Sequence, residues 1–157
     1  QHCVHHVGRA TQRPERLFMQ FHGGVYRSDD AGASWIDVGD GTDLPSDFGF
    51  PIVVDPADPD SAYVIPLIGA EDRTTPGGTV RVWETRDAGA SWAPRGAGLP
   101  AQDAYLTVLR EAFDSAGAGP ELELYFGATS GDVFGFSCGS TLFRIRRQSC
   151  VPSNRLP

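Results

Sequence analysis

The sequence predicts an all-β fold, a partial β-propeller of about three four-stranded antiparallel blades. Three observations carry that expectation. The octapeptide Ser28-Asp29-Asp30-Ala31-Gly32-Ala33-Ser34-Trp35 returns as Thr85-Arg86-Asp87-Ala88-Gly89-Ala90-Ser91-Trp92, offset throughout by 57 positions. Short, mostly apolar runs of strand length flank both copies. No stretch sustains the 3.6-residue apolar period of an amphipathic helix, and four-stranded units at periods of 40–60 residues are the mark of a propeller.

Taken along the chain, Cys3–Val7 and Arg16–Phe21 supply the first two strands, and Gly24-Val25-Tyr26-Arg27 leads into the first octapeptide. Within that octapeptide, Asp30 is placed to accept from backbone N–H groups of its own turn, and Gly32 supplies a position where positive φ is free of steric cost. Ser34 begins the return strand, and Trp35 lays a large apolar face on the base of the hairpin. Ser28 completes the set. Thr85, Asp87, Gly89, Ser91 and Trp92 repeat the same roles. Between the copies come the apolar stretch Phe48–Val54, the turn 55–60, the strand Ser61–Pro66 and the run Gly78–Trp83. After the second copy, Tyr105–Leu109 and Glu121–Gly127 fill the corresponding slots. Tyr105–Phe113 also admits a helical reading, but its β-branched and aromatic content favours a strand. A degraded third copy runs from Gly131-Asp132-Val133-Phe134 into Gly139-Ser140-Thr141-Leu142, without the aspartate and tryptophan. The blades are thus expected at about 1–40, 46–97 and 102–148 of one propeller segment, with a polar tail at 149–157.

The pattern Ser/Thr-x-Asp-x-Gly-x-Ser/Thr-Trp resembles the Asp-box, or bacterial neuraminidase repeat, and over residues 1 to about 134 the chain resembles sialidase-like, glycosyl-hydrolase-like repeat proteins. That resemblance implies a propeller. It says little of activity, because the box lies on the outer hairpin of a blade, away from the central face where sites form. It also implies six to eight blades, so three blades leave two open faces. Truncation of a longer chain is the expectation, supported by the start at Gln1 and the altered ending at 135–157; ring closure by self-association is the alternative.

A net charge of −7 and a pI near 4.9 argue against extended nucleic-acid or anionic-membrane binding, and the short cluster Arg144, Arg146, Arg147 does not reverse this. No apolar run is long enough to span a bilayer as a helix. Cys3, Cys138 and Cys150 leave two states open, a Cys138–Cys150 pair with Cys3 free, or three thiols. The compartment is equally open, cytoplasmic or secreted after processing.

All four histidines, His2, His5, His6 and His22, fall in the first blade. His5 and His6 point to opposite faces of one strand, whereas His2 and His6 share a face that His22 can reach from the next strand. These three are the weak site candidates, for substrate contact or metal ligation, against the plainer reading of hydrogen-bonded inner-strand histidines. No metal and no cofactor is expected. Phe48-Gly49-Phe50-Pro51 either presents aromatics at the central opening or packs blade two on blade one. A sialidase needs three arginines on the substrate carboxylate, a tyrosine–glutamate pair and an aspartate acid. Arg9, Arg13, Arg16, Arg27, Tyr105, Glu111 and Glu121 are present, but no local motif assigns any of them, and the catalytic residues stay unknown. The leading expectation is a non-catalytic scaffold or interaction module with a carbohydrate or protein ligand. The alternative is part of an exo-sialidase-like glycoside hydrolase, competent only in a complete ring.

Overall fold

The computed structural model describes residues 3–137 and the backbone of 142–145. Among these residues there are twelve strands and no α-helix, arranged as three four-stranded antiparallel meanders. The first sheet is β1 (Val4–Arg9), β2 (Leu17–Phe21), β3 (Gly24–Ser28) and β4 (Ile36–Asp37). The second is β5 (Gly49–Val54), β6 (Ala62–Pro66), β7 (Val82–Thr85) and β8 (Ala93–Arg95). The third is β9 (Phe113–Ala116), β10 (Glu123–Gly127), β11 (Val133–Ser137) and β12 (Leu142–Ile145). The leading strands pack together across the sheets, β1 on β5 and β5 on β9. This is the all-β blade architecture read from the sequence.

The middle sheet shows how alternation builds two cores. Every residue of β5 and β6 is buried, because both faces are covered. Ile52, Val54, Ala62 and Val64 join Phe18, Val25 and Trp92 in a cluster against the first sheet. Val53, Tyr63 and Ile65 face the other way, into a cluster with Phe113, Leu124, Phe126 and Phe134 of the third sheet. Each large side chain so buried contributes about 1.5–3 kcal/mol.

The two octapeptide turns coincide in detail. Ser28 Oγ donates to Asp30 Oδ1 at 2.8 Å and accepts from Gly32 N at 2.8 Å. Asp30 Oδ1 accepts from Ser34 N at 2.8 Å, and its Oδ2 accepts from Ser34 Oγ at 2.5 Å. The second copy has Thr85 Oγ1 to Asp87 at 2.8 Å, Gly89 N to Thr85 at 2.8 Å, and Ser91 N and Oγ to Asp87 at 2.9 and 2.6 Å. Both turns also sew into the loop joining the first two strands of their own sheet, Ala31 N to Glu15 O and Ala88 N to Asp60 O, each at 2.9 Å.

The tryptophans diverge. Trp35 donates to Gly32 O of its own turn at 3.1 Å and stays half-buried. Trp92, 3% exposed, donates to Val38 O of the first sheet at 2.8 Å, so it joins two sheets rather than bracing its own hairpin. Arg27 Nη1 adds a bond to Ala88 O at 2.5 Å across the same seam. Gly89 sits there at φ 88°, where an added Cβ would lie 2.6 Å from Val38 Cβ.

Two strand assignments need correction. Residues 105–109 form no ladder: Leu106 and Thr107 carbonyls accept from the loop amides of Thr75 and Thr129, and the strand of that slot is β9, further along. The run Gly78–Trp83 begins in a 3₁₀ turn, Pro76–Gly78, with Gly77 and Gly78 near φ 60°, and pairs only from Val82. The described start of the third, degraded copy, residues 131–134, runs into β11. Ser137 ends β11 as Ser28 and Thr85 end β3 and β7. Residues 138–141, Arg146, Arg147 and the tail with Cys150 lie outside the described residues, as does His2.

Candidate functional site

The octapeptide turns mark one end of the sheets. The opposite end gathers the start of β1, the β2–β3 turn, the approaches to β5 and β9, and the β6–β7 loop. There a cleft of about 190 Å³ is lined by Cys3, His5, His22, Phe48, Phe50, Arg73 and Arg110.

Its floor is set by a β-bulge. Register between β1 and β2 passes from Val4↔Phe21 to His6↔Gln20, leaving His5 as the extra residue and bending the strand there. His5 is consequently buried, 6% exposed, with Nδ1 against Gly49 O at 2.6 Å. Its ring stacks on Phe50 at 4.6 Å and meets His22 edge-on at 5.5 Å. His22 is carried in by the β2–β3 turn, where its amide bonds Cys3 O at 3.0 Å and its Nδ1 lies 3.9 Å from Cys3 Sγ. Donor atoms of Cys3, His5 and His22 all fall within 4.8 Å of one another. Gln20, 1% exposed, fastens the approach to β5 by donating to Asp47 O at 2.8 Å. Phe48 and Phe50 therefore pack on the histidines of the first sheet while also forming the cleft wall. Gly49 is required between them: a Cβ would meet Ile65 O at 3.0 Å and Gln20 Oε1 at 3.1 Å.

Arg73 and Arg110 cover the mouth, their guanidinium carbons 5.5 and 5.3 Å from the Phe50 centroid. Both are exposed, and among the described residues neither is ion-paired. Burial lowers the His5 pKa from its ordinary value. The bond to Gly49 opposes the shift, and the charges of Arg110, His22 and Arg73 reinforce it. His5 is thus a neutral imidazole, with the Nδ1–H bonded to a carbonyl and Nε2 left as an acceptor.

Of the three weak candidates, His2 lies outside the described residues, and the structure does not bring His6 and His22 together. His22 belongs to the site, but His6 does not: its Nδ1 accepts from Ile52 N of the second sheet at 3.3 Å. Sequence reasoning missed Cys3 and His5 as partners of His22. A period of two along the expected strand Cys3–Val7 sets Cys3 and His5 on one face, but which face met the second sheet was not legible.

Several other polar groups are committed to the fold. Arg16 pairs with Asp29 and Asp60, Arg27 with Asp29, and Arg13 with Glu15, all near the octapeptide end. Tyr63 donates to buried Glu84 at 3.0 Å, but Arg86 and Arg95 hold that carboxylate at 2.9 and 2.5 Å, on β6 and β7 rather than on a leading strand. A larger cavity, about 370 Å³, opens beside Asp55, Asp58, Tyr63 and Arg86. Its carboxylates already serve the turn, with Asp55 accepting from Ala57 N and Gly119 N and Asp58 from Asp60 N.

No protein-family model and no curated protein matches the chain. Solved structures do. An ancestral GH74 enzyme aligns at a TM-score of 0.54 and 18% identity, over 84% of this chain and 17% of that one. YCF48 bound to D1 peptide aligns at 0.54 and 15%, over 88% and 38%. The GH74 xyloglucanase from Xanthomonas campestris aligns at 0.54 and 20%, over 88% and 22%. All three are β-propeller proteins, so the likeness establishes the fold. The chain spans well under half the length of each.

Proposed function

We propose that this chain is an Asp-box propeller segment acting as a non-catalytic interaction module, and that its cleft takes a carboxylate-bearing segment of a protein partner. One observation carries the reading. In a chain of net charge −7, the cleft at the leading-strand end is lined by an aromatic wall and by two arginines that have no ion pair among the described residues, with no carboxylate in the lining. Guanidinium groups suit a planar carboxylate, and Phe50 and Phe48 offer apolar contact beside it. Glycoside hydrolysis in most families needs two carboxyl groups across the scissile bond, and this cleft has none to give. A structural neighbour was solved with a bound peptide, which supports this reading.

Two of the neighbours are GH74 enzymes, which favours the alternative, a piece of a larger glycoside hydrolase ring whose carboxylates come from other blades. A titration separates the two. A Glu-rich peptide is added to isotopically labelled chain and compared with its Gln counterpart, in low and high salt. Selective shifts at His22, Phe50 and Arg110, reduced in the Arg73→Gln/Arg110→Gln variant and by salt, support the module. Equal response to both peptides sinks it, and turnover of a fluorogenic sialoside or of xyloglucan moves the reading to the enzyme.

A further inference from the structure

The floor of the cleft carries a chemistry that carboxylate recognition does not use. From its geometry, we propose that Cys3, His5 and His22 form a three-ligand site for a borderline divalent cation of the zinc class.

The donor set is one thiolate and two imidazoles, the combination that selects zinc-like ions over magnesium or calcium. With Zn–N near 2.0–2.1 Å and Zn–S near 2.3 Å, tetrahedral ligand atoms lie about 3.3–3.6 Å apart. The separation between Cys3 Sγ and His22 Nδ1, 3.9 Å, already approaches that value, and all three donors converge within 4.8 Å. Small side-chain rotations close the remainder.

The outer shell is in place as well. Metal-bound histidines commonly donate the other ring N–H to a carbonyl or carboxylate, which fixes tautomer and ring plane. His5 does this to Gly49 O at 2.6 Å, and stacking on Phe50 fixes its ring further. The backbone bond from His22 to Cys3 ties the other two ligands to each other. Cys3 has no disulfide partner among the described residues. Binding would release its thiol proton to solvent, leaving a thiolate that offsets one charge of the ion. Three protein ligands leave a fourth position, opening on the cleft that Arg73 and Arg110 border. Those arginines oppose a bare dication but suit one whose fourth ligand is an anion.

The test uses the untagged full chain in a Cys138→Ser/Cys150→Ser background, so that Cys3 is the one remaining thiol. Zn²⁺ is titrated in competition with a chromophoric chelator, and Co²⁺ is added separately as a spectroscopic probe. The expected result is one ion per chain, with a sulfur-to-cobalt charge-transfer band and tetrahedral visible bands. Cys3→Ser should abolish the charge-transfer band and weaken Zn²⁺ by at least about a hundredfold, the upper end of what outer-shell losses alone cost. His22→Gln, on an accessible turn and so able to fold, should weaken binding equally, and His6→Gln should change nothing. Zn²⁺ affinity unchanged in Cys3→Ser and His22→Gln, absence of the cobalt–thiolate band, or a His6→Gln loss matching that of His22→Gln would each overturn the assignment.

Discussion

Trp35 and Trp92 occupy the same position of the same octapeptide, yet they should differ sharply in what they contribute to stability. Trp92 is 3% exposed, sits in the cluster with Phe18, Val25, Val38, Ile52 and Val64, and donates to Val38 O across two sheets. Truncation to alanine removes that packing and leaves a cavity, a change that costs about 3–5 kcal/mol for a buried tryptophan. Trp35 is half-buried and bonds only within its own turn, so Trp35→Ala should cost about 1 kcal/mol. The gap of about 3 kcal/mol corresponds to about 6–12 °C in Tm for a chain of this size. Urea unfolding followed by far-ultraviolet circular dichroism reads it directly, provided the slope with denaturant is unchanged. Trp92→Phe supplies the internal check: it keeps most of the apolar area but orphans the Val38 carbonyl, for an expected loss of about 1–3 kcal/mol. Equal losses at Trp35 and Trp92 would refute the argument that the second octapeptide is the joint between sheets and the first is not.

Two further predictions come from the same turns. Asp30 is held at about 2, below its ordinary 3.8, first by the Ser34 hydroxyl, then by the Ser34 amide and Ser28; Asp87 is lowered likewise, chiefly by Ser91. A depressed folded pKa gives stability that is complete above the unfolded value and is lost as pH falls through the folded one, so an acid titration should show a stability loss between pH about 4 and 2 that Asp30→Asn/Asp87→Asn flattens. An unchanged acid limb in that double variant would contradict the assignment. Gly89→Ala combines positive φ with a contact of 2.6 Å on Val38 and should destabilise by about 2–4 kcal/mol, whereas Gly32→Ala, at φ 91° with nothing nearer than 3.6 Å, should cost about 1 kcal/mol. Thermal unfolding of the two variants side by side decides it.

What the sequence made legible was the part of the molecule built from local chemistry. The Ser28–Asp30–Gly32–Ser34 network of the octapeptide can be read without knowing its neighbours, because the partners of those hydroxyl and carboxylate groups lie within four residues. The strands that alternate cleanly were legible for the same reason. Segment 105–109 was not, since its apolar residues suited a ladder that two loop amides pre-empt from elsewhere in the chain. The Cys3–His5–His22 grouping was half legible: alternation placed Cys3 and His5 together, but the bulge at His5 and the docking of Phe48 and Phe50 are long-range events. The destination of Trp92 was hidden similarly, because nothing local distinguishes it from Trp35.

The division between the two ends of the sheets bears on how a site arises in a repeat protein. At the octapeptide end, hydroxyls, carboxylates and amides are consumed by each other, and the nearby arginines are consumed by Asp29 and Asp60. The near-identical turns at that end spend these groups on the fold. The leading-strand end differs in every sheet, because its loops are free of the octapeptide's constraints. It holds two arginines that no carboxylate of the described residues neutralises, the buried imidazole with a free nitrogen, and the thiol. Unspent hydrogen-bonding and ligating capacity, gathered where the leading strands of two sheets meet, is what separates a candidate site from the scaffold that carries it.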